Sequence, residues 1–173
     1  PLQFWFCRNP GLALPLIALQ YHEVKVILNT SANYSSSSSL KLWADYIYLD
    51  TEERRRFAQV SHEYLIEQVQ HQSASSGKSF DLNFNHPVKE LVWTSEWASG
   101  DYTGTEVVTG DKWKLVLNGH DRFAEREYRY FTRAQVWQHH TGYGSVMGED
   151  QIAVYSFALK PEEHQPSGTC NFS

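Results

Sequence analysis

Residues 40–49 read Leu40-Lys41-Leu42-Trp43-Ala44-Asp45-Tyr46-Ile47-Tyr48-Leu49, and their order sets the class of fold the chain can support. Two-residue alternation sends Leu40, Leu42, Ala44, Tyr46 and Tyr48 to one face and Lys41, Trp43, Asp45, Ile47 and Leu49 to the other. That is the period of a strand. The texture recurs. Residues 14–28, LPLIALQYHEVKVIL, end in an alternating run through Val24, Val26 and Leu28. Residues 88–93 make a short strand behind Pro87, residues 113–117 another that runs into the turn signal Asn118-Gly119, and residues 151–159, QIAVYSFAL, a third.

Between these runs the sequence turns polar. Residues 29–39, NTSANYSSSSS, carry five consecutive serines and read as an exposed loop, as do the Gly-containing stretches 98–105 and 141–150. Residues 72–79, QSASSGKS, read as a linker. Asp50-Thr51-Glu52-Glu53 is a helix start, because an Asp or Thr cap accepts backbone N–H bonds and early carboxylates suit the positive end of the helix dipole. The continuation has two periods in it. Phe57, Val60, Tyr64 and Val69 are partly helical in spacing, while residues 62–70 alternate through Glu63, Leu65, Glu67 and Val69. The reading adopted is a short helix near residues 51–58, ending about Arg56, followed by a strand. Short strands, long loops and few helices indicate an all-β chain, a sandwich or jelly roll, over a parallel α/β sheet.

Composition agrees and narrows the function. The 173 residues include six Trp, ten Tyr and nine Phe against one Met, a balance that suits half-buried pleated surfaces. The formal charge of -5 gives no general attraction to nucleic acid or anionic lipid. No apolar run reaches the roughly 20 residues of a bilayer span, so neither direct nucleic-acid binding nor a transmembrane segment is expected. The chain opens on Pro1 and the aromatic Phe4-Trp5-Phe6 without a charged leader, and closes without a polar tail, so it reads as a piece of a longer protein. Cys7 and Cys170 lack any CxxC or zinc spacing and favour a reducing compartment; the sequons at Asn29, Asn33 and Asn171 pull weakly the other way.

The candidate chemistry is sparse. His139 and His140, with His120 and His164, invite a metal reading, but neighbours on a strand face opposite ways and no HxH or HxxxH occurs, which also counts against a cupin-like metal enzyme. Arg54-Arg55-Arg56 reads as a solvated turn with local ion pairs rather than a phosphate patch. Glu162-Glu163-His164, framed by Pro161 and Pro166, reads as an exposed segment rather than an acid/base pair. The string Asn118-Gly119-His120-Asp121-Arg122-Phe123 reads as a structural turn. With no GxSxG and no phosphate-binding Gly loop, no catalytic, cofactor-binding or metal-binding residue and no cofactor is expected.

Several longer strings carry a resemblance. Phe4-Trp5-Phe6 with residues 9–24, NPGLALPLIALQYHEV, then 48–58, YLDTEERRRFA, 62–68, HEYLIEQ, 85–93, NHPVKELVW, 117–123, LNGHDRF, and 155–173, YSFALKPEEHQPSGTCNFS, resemble in order the major capsid protein of the nucleocytoplasmic large DNA viruses. Phycodnaviruses and iridoviruses are the nearest groups. The resemblance implies a double jelly roll, two consecutive β-sandwiches in one chain, here incomplete at both ends. Residues 1–71 would be the later part of the first jelly roll, 72–79 the linker, and 80–173 the early part of the second. It further implies a late, non-enzymatic virion protein assembled in the host cytoplasm. Three chains would form a pseudo-hexagonal capsomer that meets neighbouring capsomers and minor capsid proteins. Residues 29–39 and 100–110 are then expected in variable outer loops. The alternative is a carbohydrate-binding sandwich with Trp93, Trp97, Trp113 and Trp137 stacked on sugar rings, against which stands burial of the same tryptophans.

Overall fold

A computed structural model describes residues 2–30, 39–73, 78–94, 112–142 and 152–172. The chain divides into two compact units, Pro1–Gln70 and His71–Ser173.

The first unit is built on local hydrogen bonds and a small aromatic cluster. Short 3-10 turns span Trp5–Cys7 and Pro10–Leu12; the second is started by Asn9, whose Oδ1 accepts from the Gly11 N–H at 2.9 Å, with Pro10 supplying the preset dihedral. Helix α1, Thr51–Gln59, opens in a capping box. The Asp50 carboxylate accepts from the Glu53 N–H at 2.9 Å, and the Glu53 carboxylate accepts from the Asp50 N–H at 3.4 Å. The Trp5 ring lies against Phe6 and Tyr64, and His62 lies between Phe57 and Tyr64. Arg8 pairs with Glu67, and the Tyr64 hydroxyl donates to the Ala13 carbonyl at 3.4 Å. Leu12 is the one buried apolar residue among the described residues of this unit.

Three strand expectations fail here. Residues 14–28 do not form a strand: residues 16–21 are a turn, in which the Ala18 N–H donates to Pro15 at 2.9 Å and the His22 N–H to Leu19 at 3.0 Å. Residues 22–28, 40–49 and 62–70 carry no ladder. The helix also runs one turn past the expected end near Arg56 and stops where Val60 takes an extended conformation. The physical reason is that alternation prepares two faces but contributes no hydrogen bond of its own. A strand needs a backbone partner, and no described segment forms a ladder with these residues. Tyr48 stays 92% exposed and Trp43 87%.

The second unit has a sheet and a core. Strands β1 (Pro87–Val88) and β2 (Glu90–Thr94) follow each other directly, and β3 (Lys112–Trp113), β4 (Val116–Leu117), β5 (His120–Asp121), β6 (Arg126–Glu127), β7 (Ile152–Ser156) and β8 (Cys170–Asn171) complete the set. All pairs are antiparallel: β1 with β8, β2 with β7, β3 with β6 and β4 with β5. The longest ladder runs from Glu90 opposite Ser156 to Thr94 opposite Ile152. The β4–β5 hairpin turns on Asn118 at φ 51° and Gly119 at φ 80°, the two positive dihedrals a two-residue type I′ turn demands. The expected strand over 113–117 is split in two around Lys114 and Leu115.

A helical segment absent from the sequence reading completes the core. A π-helical turn, Tyr130–Ala134, runs into helix α2, Gln135–His139. Tyr128, Phe131, Thr132 and Gln135 are buried, spaced i, i+3, i+4, i+7 as one helix face requires. Phe131, 1% exposed, packs its ring 5.3 Å from Trp93 and 5.7 Å from Phe123. Gln135 covers the edge of β7 that pairs with no strand among the described residues. The Phe157 and Ala158 N–H groups both bond the Lys89 carbonyl, whereas the Ser156 N–H, turned to the other edge, is accepted by Gln135 Oε1 at 3.0 Å. Gln135 Nε2 in turn donates to the Tyr130 hydroxyl at 2.9 Å. Replacing Gln135 by Leu should therefore cost about 1–3 kcal/mol, because the buried Ser156 N–H would keep no acceptor; the shift in urea unfolding midpoint measures it.

Candidate functional site

Among the described residues, no group of three or more His, Cys, Asp or Glu side chains is placed to hold a metal ion. The residues singled out in sequence have structural partners instead. The His139 Nδ1 lies 3.0 Å from the Leu159 carbonyl. His140 lies between two carboxylates, Nε2 at 2.9 Å from Glu90 Oε2 and Nδ1 at 3.1 Å from Glu162 Oε1. The Asn118–Phe123 string is the hairpin described above, with Asp121 paired to Lys114 at 3.1 Å. Arg55 pairs with Glu52 at 3.6 Å on the exposed face of α1. Cys7 and Cys170 are both free. Asn29 is exposed and Asn171 sits in β8; Asn33, the loop 100–110, Trp97 and residues 143–150 lie outside the described residues.

The Glu162 segment is tied down more firmly than its prolines suggested. Glu162 accepts from the Thr141 N–H at 3.2 Å and from the Thr141 hydroxyl at 2.9 Å. Lys89 Nζ donates to the Glu163 carbonyl at 2.8 Å, and the Lys160 N–H donates to the Ser167 hydroxyl oxygen at 2.8 Å. Gly168, at φ 148°, closes the segment where a Cβ would stand 2.8 Å from the Phe157 carbonyl oxygen. The Thr141 N–H first, then the Thr141 hydroxyl, with a smaller contribution from His140, hold the Glu162 carboxyl below its ordinary value against a small opposing effect of burial. A lowered folded value places the stabilisation above the unfolded carboxylate range, about pH 4.3, and removes it as pH falls through the folded value. Glu162→Gln should accordingly flatten the acid limb of the unfolding midpoint plotted against pH.

What the molecule does present is apolar surface. In the first unit Tyr21, Ile27, Leu42, Trp43, Tyr48 and Val69 are all exposed. The second has a groove of about 940 Å³ of mixed character, lined by Leu91, Trp93, Trp113 and Tyr155 together with Asp81, Asn83, Lys114 and Asn118, among others. Trp93 and Trp113 pack ring to ring at 6.0 Å, and their buried indole N–H groups have no acceptor among the described residues. Burial holds the Tyr155 hydroxyl above its ordinary value, with Arg122 opposing. The tryptophans expected on a sugar-binding face thus separate: Trp93 and Trp113 belong to the aromatic packing, and Trp137 alone of those described is largely exposed, at 72%. The catalytic and metal readings find no assembled site among the described residues, and the extended apolar surfaces are the feature left to interpret.

The comparisons with known proteins bear on those surfaces. A family model described as "Large eukaryotic DNA virus major capsid protein" matches residues 53–173, and one described as "Major capsid protein N-terminus" matches residues 1–35. The chain is 56% identical to a major capsid protein of Pyramimonas orientalis virus, over all of this chain and 50% of that protein. It is 40% identical to that of Paramecium bursaria Chlorella virus 1, over all of this chain and 51% of that protein. The chain spans about half the length of the curated relatives it matches. The crystal structure of PBCV-1 VP54, fitted into a reconstruction of the virophage Sputnik, aligns with a TM-score of 0.74 at 38% identity, over 99% of this chain and 54% of that one. The PBCV-1 virus capsid model aligns with a TM-score of 0.71 at the same identity. This likeness gives the fold as all-β, the double jelly roll, and no comparison supports the carbohydrate-binding alternative. By the match over residues 53–173 and by relatives at up to 56% identity, the chain belongs to the family of large eukaryotic DNA virus major capsid proteins.

Proposed function

We propose that the protein is a building block of an icosahedral virus shell and acts through its surfaces rather than through chemistry. The observation that carries this reading is the exposure of strand-like apolar faces, Tyr48 at 92% and Trp43 at 87%, in a chain whose relatives are named major capsid proteins and are about twice as long. Such faces are costly to leave in water and mark contacts still to be made. In this reading residues 1–71 belong to the first jelly roll, 72–79 to the linker and 80–173 to the second. Each sandwich closes its core by alternation, and the two mimic neighbouring subunits of a hexamer. Three chains complete the six-fold outline, and the resulting capsomers meet one another and minor capsid proteins in the virion, after assembly in the host cytoplasm. Obligate contacts of this kind bury about 2,000 Å² or more, a scale on which broad apolar faces matter more than single side chains. The reading includes no catalytic residue and no cofactor.

Light scattering on the complete capsid chain, followed by negative-stain imaging of the same sample, tests it. The expected result is three times the chain mass and particles with a hexagonal outline. A monomer that persists at high concentration would contradict the proposal.

A further inference from the structure

His140 sits at the C-terminal end of α2, its own N–H donating to the Val136 carbonyl at 2.8 Å, and its ring joins three parts of the second unit. Nε2 faces Glu90 of β2 at 2.9 Å, and Nδ1 faces Glu162 of the segment after β7 at 3.1 Å. Carboxylates only accept, and a neutral imidazole has one N–H, so both contacts are hydrogen bonds only when both nitrogens carry protons. A neutral ring must turn one lone pair toward a carboxylate oxygen. The two carboxylates are not equally placed to lose their donor. Glu162 keeps the Thr141 N–H and hydroxyl, at 3.2 and 2.9 Å, and its side chain is 42% exposed. Glu90 is less exposed, at 29%, and His140 is its ion-pair partner. The single proton of a neutral ring therefore stays on Nε2, and the Nδ1–Glu162 contact is the one that opens.

We propose that His140 is a proton-operated clasp on Glu162, tightening the hold of the segment of residues 159–168 on the end of α2 when doubly protonated and loosening it when neutral. The surrounding charges are consistent with a local device. His139, on the same helix, is engaged with the Leu159 carbonyl, which anchors the start of the segment in either state. Lys89, beside Glu90, donates to the Glu163 carbonyl at 2.8 Å and lies 3.5 Å from that of His164, and Lys160 pairs with Glu163 at 3.1 Å. Among the described residues, Glu90 and Glu162 are the groups that face the His140 ring itself. Hydrogen bonds from the Thr141 N–H and hydroxyl hold the Glu162 carboxyl below its ordinary value, favouring its ionised form.

Hydrogen exchange of the complete capsid chain, followed by mass spectrometry at about pH 5.5 and pH 8 on either side of the histidine range, tests the clasp once intrinsic rates are normalised. Loss of one hydrogen bond should speed exchange over residues 159–168 about five-fold at the higher pH, while peptides covering β2 and β7 stay protected. Glu162→Gln should exchange alike at both values, because its amide accepts from a protonated Nδ1 and donates to a bare one. His140→Ala should exchange fast at both. Equal exchange of the wild type at the two values, an unchanged pH response in Glu162→Gln, or continued slow exchange in His140→Ala would overturn the proposal. Protection of β2 and β7 distinguishes each of these from unfolding. The clasp does not rest on the shell reading, since the mass of the assembly is measured separately.

Discussion

The contact of Phe131 with Trp93 and Phe123 is the interaction on which the second unit depends. It brings the π-helical turn and α2 onto the β2–β7 ladder, and from that placement the other features follow. Gln135, one turn further along, reaches the edge of β7 left unpaired among the described residues, and His140 at the end of the helix reaches β2 and the segment beyond β7. An edge strand left open would present unpaired N–H and C=O groups to any other chain. Here a side-chain amide takes up one of them, so a single buried aromatic ring determines both the packing and the protection of the sheet.

The two units respond differently to the same sequence pattern. In the second, β2 and β7 find each other across 57 intervening residues because their inner faces share aromatic partners, Trp93 on one and Tyr155 on the other, around Phe131 and Phe123. In the first, residues 40–49 alternate just as cleanly yet meet no strand partner among the described residues. Their backbone has no ladder and their aromatic side chains remain in solvent. Burial of apolar area stabilises a strand only when there is a surface to bury it against. Within the shell reading, that surface belongs to the part of the capsid chain for which the relatives have length and this chain has no counterpart.

The legible features were those decided by short-range chemistry. Asn118-Gly119 specifies a hairpin because both residues tolerate positive φ, and Asp50 with Glu53 specifies a helix start because each side chain satisfies the other's backbone N–H. The helix over residues 130–139 was not legible. Its buried stripe is half polar, with Thr132 and Gln135 among Tyr128 and Phe131, and Tyr130, Val136 and Trp137 lower its intrinsic helix propensity, so packing forms it where local preference does not. The role of Glu162 was hidden for a similar reason. Pro161 and Pro166 suggested an extended segment, whereas residues 161–165 are turns and bends, and the Thr141 and His140 donors that hold the carboxylate come from 21 and 22 residues away.

The central claim is that residues 40–49, which carry no ladder in this chain, pair as a strand in the complete capsid protein. A density map of the assembled complete capsid protein, fine enough to trace backbone hydrogen bonds, tests it most directly. The account predicts residues 40–49 paired in an antiparallel ladder with chain lying outside these 173 residues, with Trp43 and Tyr48 covered. The same residues lying unpaired on the surface of the assembled particle, their rings in solvent, would contradict it.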